Sequence, residues 1–578
     1  MSSAGARILR LLNAARGQYL PTGAKPWPKS ASSPVEPYQN QHESTRSPLR
    51  CFPLKSHHIG GTYHPRQPNV EEDEMTPEWF HRKLCTRIQS AKHRVKLASL
   101  YVGAGTHPRE KELLETLQQA SNNNESLDIK ILLDASRALR PISTGNDGDE
   151  PTSSALAVLE HIQESTEKKI SQNGNGLYLF PILEEPLRSW LPSPLDEVAG
   201  VFHLKAYVID DCLILSGANL SEEYFTDRQD RYMEFTNGGG GLVDFYSELI
   251  DVLCKYADPF GGKSDTIPFK KSLRRGLSSV TESNPESLRK RNELISSLTT
   301  LFDGSKDDGI LKEPESCDNN EKETKSSPIN EGEIIAYAIP TFQAPASFFG
   351  SKPPPFPCDV EVTRNLILAA LEDDATSSSV RICSAYLNPT PYLLSALRQF
   401  CKGNAAYLLT AGPSSHGFAP KKNSTASAPS GSSRNWIPSA FIELTSHVEK
   451  EINPNNDANG SKVLLYERPG WTFHCKGLWL SGQTERGEPS SREAHFCQEE
   501  FVMATIVGSG NYGARSEDRD MESNCILILP EGADKPTPLQ SYLAAEWNGI
   551  CNHLSDFRQS SPTNFALKSS LPIIRKYL

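Results

Sequence analysis

Two short patterns in this chain could do chemistry on a phosphate. His203-Leu204-Lys205 and His474-Cys475-Lys476 each place an imidazole and an ammonium two positions apart. In an extended segment that spacing puts both side chains on one face. Each pair lies in an apolar, strand-like run, and each is followed by a small-residue turn ending in Asn, Ser216-Gly217-Ala218-Asn219 and Gly508-Ser509-Gly510-Asn511. Each Asn precedes a stretch rich in Arg and Asp that ends in Met-Glu, Asp230-Arg231-Tyr232-Met233-Glu234 and Arg519-Asp520-Met521-Glu522. A single His-x-Lys pair is a common chance pattern. Four matched features in the same order, twice, imply two halves that build one site from two imidazoles.

Such a set suits phosphoryl-group transfer. The oxygens of a phosphodiester carry negative charge that grows in the transition state. Lys205 and Lys476 would supply fixed positive charge there, and Asn219 and Asn511 amide donors. One histidine would attack phosphorus and form a phosphohistidine. The other would protonate the leaving group and then deprotonate the incoming nucleophile. The lysines do the charge work, so neither a metal nor a cofactor is expected. A nucleophilic imidazole needs one ring nitrogen held by an acceptor. Glu234 and Glu522 are the expected acceptors, with Glu522 assigned to His474.

The elements that must carry these groups also repeat. A helical pattern (Trp79, Leu84, Ile88) leads to the strand-like 94–101, then to a helical run over 110–119 and an apolar strand over 129–133. The second half repeats this order with 366–371, 380–386, 392–400 and 405–409. Tyr101 and Tyr386 are 285 positions apart, and His203 and His474 are 271 apart. A near-constant offset marks a duplication with loop insertions, and alternating strands and helices predict an α/β layer fold. Polar inserts are expected at 143–153, 421–433 and 485–492. Gly238 to Gly241 reads as a turn between a strand and a helix rather than a phosphate cradle. The sequon Asn423-Ser424-Thr425 is expected to be silent.

The domain reading is a leader over 1–50, a first lobe over 70–260, a charged flexible linker over 261–334 and a second lobe over 335–578. The leader has no acidic residue before Glu36, carries Arg7, Arg10 and Arg16, and aligns Ile8, Leu11, Leu12 and Ala15 on one helical face. That composition is that of a mitochondrial transit peptide. Within the linker, Leu288, Ile295, Leu298 and Phe302 align beside Arg289-Lys290-Arg291, which predicts a surface helix. The net charge of -11 argues against broad nucleic-acid binding, which needs a basic face. The 12 cysteines show no metal-ligand spacing and read as reduced thiols.

The doubled His-x-Lys blocks with their Asn turns resemble the phospholipase D superfamily. Within it, the strings Ser99-Leu100-Tyr101-Val102-Gly103, Leu132-Leu133-Asp134-Ala135-Ser136-Arg137, Phe202-His203-Leu204-Lys205, 470–479 and 508–513 are similar to the eukaryotic mitochondrial phosphatidylglycerophosphate synthases. The resemblance implies two pseudo-symmetric α-β-α sandwich lobes with mixed sheets and one shared active site at their interface. It also implies transfer of a phosphatidyl group from CDP-diacylglycerol to sn-glycerol 3-phosphate, with His203 as nucleophile and His474 as acid and base. A hydrolase or a phosphatidylserine synthase of the same superfamily is the alternative. The implied setting is peripheral contact with the mitochondrial inner membrane, probed from the matrix side. Arg137, Arg515 and Arg519 are candidates for the anionic acceptor. The superfamily places Asp five positions after the motif lysine. Asp210 stands there in the first half and Ser481 in the second. A structural hydrogen bond is therefore expected of Asp210 even though it belongs to the catalytic motif, and Ser481→Asp is expected to be tolerated.

Overall fold

The computed structural model describes residues 3–18, 46–59, 76–142, 152–163, 176–182, 200–260, 285–305, 307, 334–345, 348, 354–372, 378–419, 436–454, 460–483, 500–530 and 536–556. The inserts at 421–433 and 485–492, the sequon and most of 143–153 and 261–334 lie outside the described residues.

Seven strands form the first sheet, in the spatial order Tyr232–Phe235, Cys212–Ser216, Ala206–Ile209, Arg94–Ser99, Asp128–Asp134, Gly176–Phe180 and Asp258–Phe260. The second sheet repeats all seven as Glu522–Ile528, Glu500–Gly508, Lys476–Gln483, Ser378–Ser384, Ala405–Ala411, Lys462–Tyr466 and Leu554–Asp556. It then adds Ile334–Gln343 and Phe52–Lys55 at one edge. In each order the fourth, fifth and sixth of the seven matched strands are parallel, and the strands on either side of them pair antiparallel. Helices follow the same order in both lobes. Pro77–Gln89 and Pro108–Asn123 in the first correspond to Asp359–Ala369 and Pro391–Phe400 in the second. The central strands are therefore covered on both faces, which is why Val95 to Leu100 and Ser378 to Ser384 read as nearly unbroken buried runs.

Local signals set these elements. Thr76 and Thr390 each cap a helix, accepting the N–H of Trp79 and Leu393, with Pro at the first helical position. Gly238 to Gly241 all have positive φ, from 51° to 95°. Only such a turn brings the chain from Phe235 into the buried helix Leu242–Tyr256.

Two segments differ from expectation. Residues 3–17, expected to stand outside the fold, are packed into it. The helix Ser3–Ala15 buries Leu11, Leu12, Ala14 and Ala15 and rests on the helix Asp359–Ala369. The buried Arg16 guanidinium donates to the carbonyls of Leu49 (3.0 Å) and Gly304 (2.8 Å). Amphipathicity is shared by targeting helices and docked helices, so periodicity alone did not separate them. In the linker, the helix Pro285–Phe302 is present but rolled relative to the expected face. It buries Leu294, Leu298, Leu301 and Phe302 against the helix Leu242–Tyr256 and leaves Leu288 exposed.

Candidate active site

The two lobes meet through a pair of matching backbone exchanges. The N–H of His203 donates to the carbonyl of Met521 (2.9 Å), and the N–H of Met521 to that of Val201 (3.0 Å). In the mirrored place the N–H of His474 donates to the carbonyl of Gln229 (2.8 Å), and Thr472–Phe473 pairs with Arg228–Gln229. Each histidine is thus docked on the segment that enters a strand of the opposite lobe, Glu522–Ile528 for His203 and Tyr232–Phe235 for His474. Arg231 pins this interface. Its buried guanidinium donates to Glu546 Oε1 (2.8 Å), the Ile506 carbonyl (2.7 Å) and Thr505 Oγ1 (2.9 Å), and lies 4.2 Å from the Trp479 ring centroid.

The same docking supplies the carboxylates. Nδ1 of His203 lies 2.8 Å from Glu522 Oε1, and Nδ1 of His474 lies 2.7 Å from Asp230 Oδ2. Each imidazole is fixed by an acid from the other lobe. Two expectations are corrected here. Glu522 serves His203 rather than His474. Glu234 is not at the site at all: it sits on the outer side of its strand, paired with Lys83 (3.1 Å) and Arg87 (2.8 Å). The two Met-Glu strings stand four positions out of register. Ser216 pairs with Tyr232 and Gly508 with Asn524, so Asp230 and Glu522 are the equivalent pair. A usable signal was present, since Asp230 follows Asn219 by eleven positions, as Glu522 follows Asn511.

Lys205 and Lys476 are buried in the centre. Lys205 Nζ donates to the His203 carbonyl (2.7 Å) and Lys476 Nζ to that of His474 (2.8 Å). Lys476 Nζ also lies 2.8 Å from Nδ1 and 3.2 Å from Nε2 of His474. An ammonium that close to both nitrogens crosses the ring rather than bonding in its plane, and the Asp230 contact sets the tautomer. Gly217 permits the approach of the first turn, because a Cβ there would meet Asp230 Oδ1 at 2.6 Å and Lys476 Cδ at 3.0 Å.

Burial dominates the electrostatics. It pushes Asp230 up to about 6 and Glu522 up to about 7, against the pull of the lysines. It lowers Lys205 to about 7 and Lys476 to about 8. Burial, then the nearby lysines, hold both histidines well below the ordinary imidazole value. This favours the neutral rings, with the proton on Nδ1 facing its carboxylate and the lone pair on Nε2. A neutral Nε2 is the form that can attack phosphorus or take a proton.

The remaining expected residues divide. Asn219 is in the site: its Nδ2 donates to Tyr224 Oη (3.0 Å), whose oxygen lies 3.3 Å from His474 Nε2. Asn511 stands beside Glu522, with its N–H on Ser516 Oγ (3.1 Å), and Ser516 Oγ donates to Glu522 Oε1 (2.8 Å). Among the described residues, the buried side-chain oxygens of Asn219 and Asn511 have no donor. Arg515 approaches Asp520 (3.5 Å) and adds positive charge at His203. Arg137 lies over the Tyr101 ring (5.1 Å) at the end of the neighbouring strand. Arg519 ends the short helix Ala514–Asp518, and its backbone is packed on Gly200.

Asp210 is remote from the chemistry. It occupies the turn between Ala206–Ile209 and Cys212–Ser216 with φ 48°, and its carboxylate accepts the N–H groups of Lys92, His93 and Arg94 (2.7–3.0 Å). The second half has no turn at that place. Lys476–Gln483 continues past Ser481, which is fully buried and pairs with Ser379 and, after a register shift at Leu480/Ser481, with Val502. The departure from the motif follows from strand length. It also corrects the expectation for Ser481→Asp, because a carboxylate there would be buried in a sheet.

Sequence reasoning missed Asp230, Tyr224 and His416. The buried His416 ring packs on Tyr386 (5.4 Å) and Phe441 (5.1 Å), and Tyr386 in turn packs on His474 (6.2 Å). Its only signal in the chain was a position just after an apolar strand.

With this geometry in view, the comparisons with known proteins fall into place. Residues 84–238 match the family model described as cardiolipin synthase, PLD-like domain. That match falls within the first lobe. Over a longer span, the chain is 27% identical to the probable CDP-diacylglycerol–glycerol-3-phosphate 3-phosphatidyltransferase of Dictyostelium discoideum, covering 80% of this chain and 69% of that one. It is 28% identical to the mitochondrial protein of the corresponding name from Gallus gallus, covering 79% and 74%. The crystal structure of phosphatidylserine synthase from Haemophilus influenzae Rd KW20 superposes with a TM-score of 0.59 over 92% of this chain and 97% of that one, at 18% identity. That likeness covers both lobes and shows that the two chains share a fold.

Proposed function

We propose that this protein transfers a phosphatidyl group from CDP-diacylglycerol to sn-glycerol 3-phosphate, releasing CMP. The observation that carries the reading is the pair of imidazoles, each with Nδ1 held by a carboxylate and each beside a buried lysine. The names of the relatives supply the substrates.

In the first step the Nε2 lone pair of His203 forms a bond to the phosphatidyl phosphorus. The bond from phosphorus to the CMP oxygen breaks, and CMP leaves with the electron pair. A phosphate is a stable leaving group, so a neutral His474 suffices for this step. Glu522 takes up the positive charge that develops on His203, and Lys205, Lys476, Asn219 and Asn511 face the phosphoryl oxygens. In the second step the acceptor hydroxyl passes its proton to His474 Nε2 and its oxygen attacks phosphorus. The bond to His203 then breaks. Arg137, Arg515 and Arg519 are the candidates to bind the acceptor phosphate.

Labelled CDP-diacylglycerol offered with glycerol 3-phosphate, with serine or with no acceptor tests the assignment. Phosphatidylglycerophosphate formation only with the first is the expected result. Phosphatidylserine, or phosphatidate with every addition, would replace the reading with a synthase or a hydrolase. An acid-stable lipid adduct lost in His203→Ala would not fit a phosphohistidine, which is acid-labile and stable in base.

The setting proposed is the mitochondrial inner membrane, on its surface. It is supported by the mitochondrial relatives, the basic N-terminus and the lipid substrate. Among the described residues no helix is long and apolar enough to cross a membrane. Release from isolated mitochondria by carbonate is the expected behaviour, and retention in the pellet would overturn it.

A further inference from the structure

The two imidazoles differ at the nitrogen that reacts. Nε2 of His203 has no side-chain partner among the described residues, whereas Nε2 of His474 faces the hydroxyl of Tyr224 at 3.3 Å. Asp230 keeps the proton of His474 on Nδ1, so Nε2 presents a lone pair and the phenol donates to it. The phenol oxygen in turn accepts from Asn219 Nδ2 (3.0 Å). Burial holds the Tyr224 hydroxyl well above its ordinary value, so it keeps its proton at any working pH. The ring lies edge-on to the imidazole at 5.1 Å, with the Arg228 guanidinium over it at 4.4 Å. The equivalent position in the second lobe, five residues after Asn511, is Ser516, whose hydroxyl turns away to Glu522.

A hydroxyl donating to the base and accepting from the amide stands where an attacking hydroxyl must stand. Water could make the same two contacts, and a polar niche with two such partners would hold one. We propose that the Tyr224 hydroxyl occupies the acceptor-hydroxyl position beside His474 and so favours transfer over hydrolysis. This rests on the phosphatidyl-transfer reading above. Glycerol 3-phosphate gains binding energy from its own phosphate, away from the reacting hydroxyl, and can use it to displace the phenol. Water has no such handle and meets a covered base. Both nucleophiles would undergo the same bond changes: the O–H proton to His474 Nε2, a new O–P bond, and loss of the P–N bond to His203.

Tyr224→Phe in the full chain tests this, with labelled CDP-diacylglycerol in mixed micelles and both phosphatidate and phosphatidylglycerophosphate measured. The variant keeps the ring and removes only the oxygen, leaving room for a water between Asn219 and His474. The expected result is a rise of about tenfold or more in the ratio of hydrolysis to transfer, with a lower KM for glycerol 3-phosphate. Small alcohols without a phosphate should rise in step with water. An unchanged ratio in a variant that still transfers would overturn the inference and leave the transfer reading standing. A folded variant that loses both reactions would also overturn it, because the hydroxyl would then be needed for proton transfer. A parent enzyme that releases no CMP with any acceptor would sink the transfer reading and this inference together.

Discussion

His203 and His474 sit in matched frames and have unmatched neighbours. Both dock through a backbone N–H on the other lobe, both face a buried carboxylate across the interface, and both follow an apolar segment into a lysine. Around that shared frame the surroundings diverge. His474 is walled by Tyr224 and Tyr386, with a hydroxyl on its free nitrogen. His203 has Ser516 behind its carboxylate and Arg515 nearby. The duplicated backbone gives two chemically equal imidazoles, and the side chains that differ separate a ring with an open Nε2 from one whose Nε2 is covered.

The most direct way to break this contrast is to remove the rings. His203→Ala should abolish both turnover and the covalent adduct. His474→Ala should still form adduct, since CMP leaves readily, but should slow its resolution on the order of 10²–10⁴-fold. Single-turnover trapping of labelled lipid on the protein separates the two outcomes, and equal behaviour of the variants would erase the distinction.

Next in size are the carboxylates. Glu522→Gln should slow adduct formation and Asp230→Asn should slow its breakdown, each on the order of 100-fold, because the wrong tautomer becomes accessible. Glu234→Gln should leave both steps near normal and lower only the melting temperature, through its lost pairs with Lys83 and Arg87. A kinetic defect in Glu234→Gln as large as that of Asp230→Asn would contradict the assignment.

The position five residues past each lysine gives a smaller, structural test. Ser481→Asp should destabilise the second sheet by several kcal/mol, since it places a carboxylate in a buried strand. Asp210→Ala should cost about 1–2 kcal/mol through three lost N–H contacts, with kcat and KM unchanged. Chemical denaturation beside steady-state rates reads both.

His416 offers the smallest effect, visible only with pH. Burial lowers its imidazole to about 4, so the folded state binds less proton than the unfolded state between that value and the ordinary imidazole range near ~6.5. Its contribution is fully present above ~6.5 and is lost as pH falls toward 4, on the order of 3 kcal/mol. His416→Phe should flatten the fall in melting temperature across that window; an unchanged slope would show that other groups control it.

Much of the arrangement was legible in the chain. The doubled His-x-Lys pairs, the Asn turns and the order of strands and helices could be read because each depends on local spacing. What escaped depends on the meeting of the lobes or on a residue without a counterpart. Asp230 and Glu522 belong to the opposite lobe from the ring each one holds, and nothing in local spacing says so. Matching Glu234 to Glu522 followed identical letters rather than the distance from Asn219 and Asn511. Tyr224 was invisible because repeats draw attention to what recurs, and Ser516 replaces it in the second copy. The helix Ser3–Ala15 was set aside because its apolar stripe fits a docked helix as well as a targeting signal.

The crossing of carboxylates between lobes has a consequence for how the protein can be divided. A fragment ending near residue 260 would retain His203 and its lysine yet lack the acid that orients the ring, and a fragment beginning near 334 would suffer the converse loss. Neither piece would be a weak enzyme; each would be inert. Produced together, they should regain turnover only when they reassociate, so activity would rise with the product of the two concentrations.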